Sequence, residues 1–216
     1  MLVVSGRTMG SKRTLGVVLF EGFELLDVFG PLEMFGLAAD HFGIRLIAER
    51  GGVVASRQGP KSVCDDSFQS APAIDVLLVP GGIGTRGEVN NPVMLNWLKE
   101  RSQQAELVAS VCTGSALLAK AGVLDGLRAT SNKQAFAWAS SQSEKVQWQQ
   151  QARWVEDGKV FSSSGVSAGI DMALAVIAKL VSQQAAEEAA NYAEYSWQRE
   201  ANCDPFASVV GVSESA

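Results

Sequence analysis

The segment Val108-Ala109-Ser110-Val111-Cys112-Thr113-Gly114-Ser115 brings a thiol to the point where a short buried-strand pattern stops. The apolar run Ala116-Leu117-Leu118-Ala119 follows at once, so a helix pattern opens beside that thiol. A cysteine placed this way sits on a tight strand-to-helix turn, facing free backbone N–H groups of the new helix. Such a helix end carries about half an elementary positive charge and favours thiolate over thiol, which is the chemistry of a nucleophile. The plainer reading is a small buried hydrophobe, the usual fate of a free cysteine. Position favours the nucleophile. Cys64 and Cys203 read as bystanders: neither opens a helix after a buried strand, and both lie beside acids that would raise a thiol pKa.

Asp27, in Glu24-Leu25-Leu26-Asp27-Val28-Phe29-Gly30-Pro31, is a carboxylate among apolar neighbours just after the first strand pattern. It reads either as a helix-start acid satisfying backbone donors or as a general acid facing the cysteine. Low solvation and a neighbouring negative charge would raise its pKa and keep it able to donate a proton, and this second reading is preferred. Gly81-Gly82-Ile83-Gly84 lacks the GxGxxG spacing and the Walker lysine, so it is not a nucleotide loop. The glycine pair either lets a backbone N–H approach a ligand as an oxyanion donor or simply makes a tight turn after Pro80. Thr113 offers a further N–H, and a hydroxyl for the sulfur or the substrate. Gly165, at the end of a later strand pattern, completes the candidate oxyanion and substrate-binding set of Gly81, Gly82, Thr113 and Gly165.

The totals narrow the chemistry. There is one histidine, His41, at the apparent end of a helix, where a cation complements the helix C-terminus. It lies away from the cysteine turn, so neither a zinc site nor a local Cys-His pair is expected, and no metal or organic cofactor is called for. The three cysteines have no metal-type spacing and their odd number does not fit a disulfide framework; a reducing, cytoplasmic setting is the default. With 18 Lys and Arg against 23 Asp and Glu, a net charge of −5 and no basic cluster, a nucleic-acid surface is not expected. No apolar run is long enough to span a membrane. The segment Met1 to Arg13 puts its basic residues after its few apolar ones, the reverse of a secretory signal, and reads as a loose leader.

The elements that must position these residues alternate between strand and helix. Leu15 to Phe20, Ile44 to Ala48, Asp75 to Val79 and Leu107 to Val111 are continuous apolar runs suited to strands covered on both faces. Gly30-Pro31 is read as the start of a helix, Asn91-Pro92 as the cap of another, and Gly122 as the end of the helix behind Cys112. Residues 52 to 70 carry no clear period. Trp154 to Phe161 reads as a hairpin turning at Asp157-Gly158, and Ser167 as the cap of a helix bearing Ile170, Leu174, Ile177 and Val181. An alanine-rich helix to about Trp197 follows. At 216 residues the chain is read as a leader over 1–13, one domain over 14–206 and a flexible tail over 207–216. The alternation implies a mainly parallel sheet with helices on both faces. In such sheets the crevice lies beyond the carboxyl ends of the strands, so Asp27, Gly81-Gly82, Cys112 and Gly165 are expected along one edge.

These residues resemble the ThiJ/PfpI superfamily over roughly residues 14 to 206. The resemblance is carried by Leu26-Asp27-Val28-Phe29-Gly30-Pro31, Val79-Pro80-Gly81-Gly82, Val111-Cys112-Thr113-Gly114-Ser115, Gly126-Leu127-Arg128-Ala129-Thr130 and Gly165-Val166-Ser167-Ala168-Gly169-Ile170-Asp171. It implies a flavodoxin-like three-layer α/β sandwich, usually a homodimer, with a reactive cysteine at a nucleophile elbow. It also implies an acid from the first strand's loop hydrogen-bonded to that cysteine, which maps onto Asp27. Within the superfamily the likeness runs to isocyanide hydratases, which pair Asp with the cysteine, place Thr after it and carry a similar Gly-(Ile/Val)-(Thr/Ser)-Ala-Gly-Ile-Asp segment. The sensor half of certain AraC-type regulators looks similar too, but those append a DNA-binding domain for which this chain is expected to be too short. Superfamily peptidases place His directly after the cysteine, where this chain has Thr113. Glyoxalase and deglycase members use Glu, Cys and His, and Asn132 stands here where several relatives, isocyanide hydratases included, have a histidine.

The activity implied is a cysteine-dependent hydration of a small carbon–nitrogen substrate, an isocyanide to an N-formamide, with Cys112 as nucleophile and Asp27 as general acid and base. The alternatives are hydration of an α-oxoaldehyde through a hemithioacetal, and a non-catalytic ligand sensor or redox switch. The expected partners are a small-molecule substrate and a second copy of the chain, with neither nucleic acid nor membrane.

Overall fold

The computed structural model of the protein describes residues 12–208. In chain order its first elements are β1 (Arg13–Leu19), α1 (Leu25–Leu37), β2 (Phe42–Ala48), β3 (Gly52–Ala55), β4 (Lys61–Cys64), β5 (Asp66–Ser67), β6 (Val76–Val79), α2 (Thr85–Glu88) and α3 (Pro92–Gln104). There follow β7 (Leu107–Val111), α4 (Gly114–Lys120), β8 (Arg128–Ala129), α5 (Phe136–Ser140), β9 (Gln147–Trp148), β10 (Trp154–Asp157), β11 (Val160–Ser163), α6 (Ala168–Leu180) and α7 (Gln183–Tyr192).

One seven-stranded sheet, in the order β10-β11-β7-β6-β1-β2-β5, forms the middle layer. β11, β7, β6, β1, β2 and β5 run parallel to their neighbours, and only β10 is antiparallel, because it reaches β11 through the hairpin at Asp157-Gly158. The apolar runs are the reason: β6 and β7 are buried at every residue, as strands covered by helices on both faces must be. α1, α6 and α7 pack together as one group and α2, α4 and α5 with α3 as another, which completes the three-layer α/β sandwich. Among the described residues no helix is long and apolar enough to cross a membrane.

This topology settles where the candidate residues lie. β11, β7, β6 and β1 are consecutive and parallel, so the turns after Ser163, Val111, Val79 and Leu19 all open on one sheet edge. Gly165, Cys112, Gly81-Gly82 and Asp27 follow those four ends, as the alternation of patterns required.

Several boundaries differ from the sequence reading. β1 begins at Arg13, within the segment read as leader, because Arg13 pairs with Phe42 and its guanidinium bonds Glu106 at 2.9 Å; residues 1–11 lie outside the described residues. α1 begins at Leu25 rather than at Gly30-Pro31, and Pro31 lies inside it. A proline there forfeits one bond, to the carbonyl of Asp27, and the helix tolerates it where it is packed. Asp27 is therefore in the first turn of α1. Residues 52 to 70 hold an antiparallel hairpin, β3 with β4, and the short edge strand β5. Ser167 precedes α6 without capping it; its hydroxyl faces Arg153 instead, at 3.5 Å. α7 ends at Tyr192, short of Trp197, because Asp171 draws the next stretch away: its Oδ1 accepts from Tyr195 Oη at 3.1 Å and from the Gln198 N–H at 2.8 Å. The chain remains ordered past the expected boundary, since Ala207 is buried and its N–H bonds the Asp204 carbonyl at 2.9 Å; residues 209–216 of the expected tail lie outside the described residues.

Candidate active site

β7 delivers Cys112 in a left-handed backbone conformation, φ 57°, one that non-glycine residues seldom adopt. Its surroundings over-determine it. The Cys112 N–H donates to the carbonyls of Ser163 and Ser164, both at 3.2 Å, and its carbonyl accepts from the hydroxyls of Ser115 and Ser131, both at 3.0 Å. That many bonds hold the strained turn in place at the sheet end. The thiol is 6% exposed.

Asp27 lies beneath it, fully buried. Its Oδ2 accepts from the Gly81 N–H at 2.9 Å. The carboxyl also reaches the Cys112 thiol and the Val166 N–H. Oδ1 makes no hydrogen bond among the described residues. Burial pushes the Asp27 carboxyl up to about 7; the charge of Glu24 adds to the rise, while the Gly81 N–H, the thiol and the Val166 N–H oppose it. The direction expected of Asp27 therefore holds, with desolvation as the main cause.

The thiol behaves differently from the sequence expectation. Burial, and then the charge of Asp27, push Cys112 well above the ordinary thiol range. The N–H and hydroxyl of Thr113 pull the other way and are outweighed. α4, the helix that opens beside the sulfur, is only seven residues long. A resting thiolate at a helix end is thus replaced by a protonated thiol coupled to a carboxyl. In such a pair the two groups titrate together rather than one by one.

The remaining candidates divide. A side chain on Gly81 would strike Thr113 N at 2.5 Å and Cys112 Cβ at 2.8 Å, so glycine there lets the β6 turn press against the elbow. The Gly81 N–H is taken up by Asp27 and is not the donor to substrate that the sequence reading allowed. Gly82, at φ 129°, lines the cavity, and its N–H donates to Thr113 Oγ1 at 3.1 Å. That oxygen also accepts from Thr85 Oγ1 at 3.1 Å, which fixes the Thr113 side chain beside the sulfur. Gly165 lines a neighbouring cavity with Lys133 and Phe206, and a side chain on it would run into the Asn132 amide. Asn132 Oδ1 accepts from the Ala135 N–H at 2.9 Å, so this residue closes a turn at the cavity wall. Cys64, on β4, and Cys203, in the C-terminal segment, do not line the cavity, and burial raises Cys64 to about 11. His41 is exposed and does not line the cavity.

Above the thiol is a cavity of about 160 Å³. Besides Cys112, Thr113, Gly82 and Asn132 it is walled by Glu24, Arg57, Arg86 and Ile83, none of which the sequence reading singled out, and by Val166. Val166 has φ 49°, the second strained residue of the site. Its signal was present in the Gly165-Val166-Ser167 motif, whereas Arg57 and Arg86 carry no local signal: one arrives from the β3–β4 turn and the other from α2.

Comparison with known proteins agrees with this geometry. Over 182 residues the chain is 31% identical to the isonitrile hydratase of Pseudomonas putida, covering 84% of this chain and 78% of that protein. It is 27% identical to the HTH-type transcriptional regulator GbdR of Pseudomonas aeruginosa over 78% of this chain, but spans only 47% of the regulator. Among solved structures, a ThiJ/PfpI family protein from Pseudomonas syringae superimposes with a TM-score of 0.78 at 29% identity, over 90% of this chain and 83% of that one. The model of the DJ-1/PfpI family matches residues 13–179. A strained cysteine at the elbow of a parallel sheet, with a buried carboxyl beneath it, thus stands on the scaffold expected for it: the chain belongs to the DJ-1/PfpI family.

Proposed function

We propose that the protein is a cysteine-dependent hydratase that converts a small isocyanide to the corresponding N-formamide. The observation that carries this reading is the juxtaposition of Cys112 with a buried Asp27 and no histidine at the cavity, on a chain similar to an isonitrile hydratase. Asp27 takes the thiol proton as sulfur attacks the terminal carbon of R–N≡C and returns it to that same carbon, giving the thioimidate R–N=CH–S–Cys112. Water then adds to this carbon while Asp27 accepts one of its protons. The nitrogen gains a proton, the C–S bond breaks, and the remaining proton restores the thiol; the sum is R–NC plus H2O to R–NH–CHO. Thr113, with its N–H and hydroxyl beside the sulfur, stabilises charge developing there.

The test is turnover of an aryl and an alkyl isocyanide by purified protein, followed as formamide release. Formamide that depends on Cys112 supports the reading; absent turnover, or turnover that survives Cys112→Ala, contradicts it. A second reading, a ligand sensor without turnover, is favoured by the similarity to the regulator GbdR. It predicts tight saturable binding with no product. The α-oxoaldehyde reading has weaker support, because Asn132 rather than a histidine stands at the wall.

A further inference from the structure

We propose that Glu24 is a second acid–base group of the site, which carries a proton from the attacking water to the nitrogen of the thioimidate while Asp27 serves the sulfur. The inference rests on the hydratase reading above and supplies the one proton transfer there that has no carrier. In that reaction the two protons of water end on nitrogen and on sulfur. Asp27 is fully buried beneath the thiol and does not line the cavity. That place suits the proton that leaves sulfur and returns to it. The nitrogen of R–N=CH–S–Cys112 stands two bonds beyond the sulfur, on the cavity side, where Asp27 exposes no oxygen.

Glu24 has the exposure that Asp27 lacks. It is half-buried and, among the described residues, the one carboxylate lining the cavity that holds Cys112. The start of α1 sets its position. Glu24 is the N-cap residue of that helix, and Asp27 stands three places on in the first turn. Those two positions are neighbours across the opening turn of a helix, so both carboxyls approach the elbow from one side. Their nearness is felt electrostatically, since the charge of Glu24 acts on Asp27. Gln58, from the β3–β4 turn, holds the group in place: its amide N–H donates to Glu24 Oε1, and its Oε1 accepts from the Leu25 N–H at 3.2 Å. Glu24 Oε2 accepts no hydrogen bond among the described residues. A carboxylate anchored through one oxygen, with the other unbonded at the cavity wall, is placed to exchange protons with a molecule inside. The cavity, about 160 Å³, has room for a water, whose share of the liquid is about 30 Å³, beside a small thioimidate.

The protons balance. Water adds to the thioimidate carbon and gives one proton to Asp27. Glu24 takes the second from the new hydroxyl and hands it to nitrogen as the carbonyl forms and the C–S bond breaks. Asp27 returns its proton to sulfur, and both carboxylates end as they began. The sum remains R–NC plus H2O to R–NH–CHO.

The experiment separates the two halves of the reaction by rapid mixing of the full chain with excess isocyanobenzene, reading the Cys112 adduct and N-phenylformamide over time. It is run at pH 9, where Asp27, which titrates near 7, is ionised; losing the charge of Glu24 only lowers that value. Glu24→Gln is nearly isosteric and keeps an oxygen for the Gln58 amide. In this variant the adduct should form at the wild-type rate and decay about a hundredfold more slowly, the scale of a lost acid–base group, so that it accumulates. Glu24→Asp, shorter by one methylene, should fall between the two, and it carries the same test if Glu24→Gln does not fold. Decay at the wild-type rate, or formation slowed as much as decay, would overturn the proposal and leave the hydratase reading standing. Neither adduct nor formamide from wild type would remove that reading and the proposal with it.

Discussion

Cys112 and Asp27 share one problem, the loss of water, which raises both; the charge of Asp27 raises the thiol further, while the thiol's hydrogen bond holds the carboxyl back. With Asp27 titrating near 7 and Cys112 well above its ordinary range, three protonation states follow. Below pH about 7 both groups hold protons and the carboxyl cannot take the thiol's; above it, the pair holds one proton and is competent. The predicted kcat/KM therefore rises with pH through about 7 and stays level past 9, which a pH–rate profile checks. A resting low-pKa thiolate would give a profile already flat below 7. The same shift bears on stability. A carboxyl whose folded pKa is raised from 3.8 to about 7 binds its proton more tightly when folded, so stability falls as pH rises across that window. Asp27→Asn should then be more stable than wild type in urea unfolding, by little at pH 4 and by an amount on the order of a few kcal/mol at pH 8, while losing at least about a hundredfold in turnover. The carboxyl's burial was legible in the sequence because Asp27 stands among apolar neighbours. The state of the thiol was not, because a helix end is visible in a sequence and the depth of burial is not.

The turns after β1, β6, β7 and β11 act as one unit, and glycine sets how closely they approach. Gly81→Ala places a methyl group against Thr113 N and Cys112 Cβ, backbone and near-backbone atoms that cannot swing aside. We expect a loss of about 1–3 kcal/mol in urea unfolding together with loss of turnover. A second unit lies behind the Asn132 wall. Arg153, almost fully buried, bonds Asp171 through Nε at 2.8 Å and approaches Asp204 at 3.6 Å, and Lys133 lies 3.9 Å from Asp204 on the other side. This network ties α6 and the C-terminal segment to the loop carrying Asn132. Arg153→Met strands Asp171 and Asp204 without their shared cation, at a cost of about 3–5 kcal/mol, or a Tm lower by roughly 10 °C in a thermal melt. The strands were readable because runs buried on both faces leave unbroken apolar patterns. The start of α1 was misread because Pro31 is a strong helix-start signal that packing overrides, and α7 ran short because Asp171, distant in sequence, competes for the residues that follow it.

For the whole molecule, the parallel order β11-β7-β6-β1 turns four separate sequence motifs into one crevice edge, and this much follows from strand–helix alternation alone. The rest of the cavity wall does not, since Arg57 and Arg86 come to line it only once the β3–β4 turn and α2 lie at the same sheet end. Leu26 and Phe29, at helical spacing on α1, are 41% and 42% exposed close to the site, a face suited to contact with a second copy. Light scattering should accordingly give the mass of two chains, and Phe29→Glu should shift it toward one. The most direct test of the account is intact-mass spectrometry of the protein mixed with an excess of an aryl isocyanide and quenched over the first turnovers. The account predicts a transient adduct equal in mass to the isocyanide, located on Cys112, that decays as formamide appears and is missing from Cys112→Ala. Formamide appearing at the wild-type rate in Cys112→Ala, or neither adduct nor formamide from wild type, would contradict it.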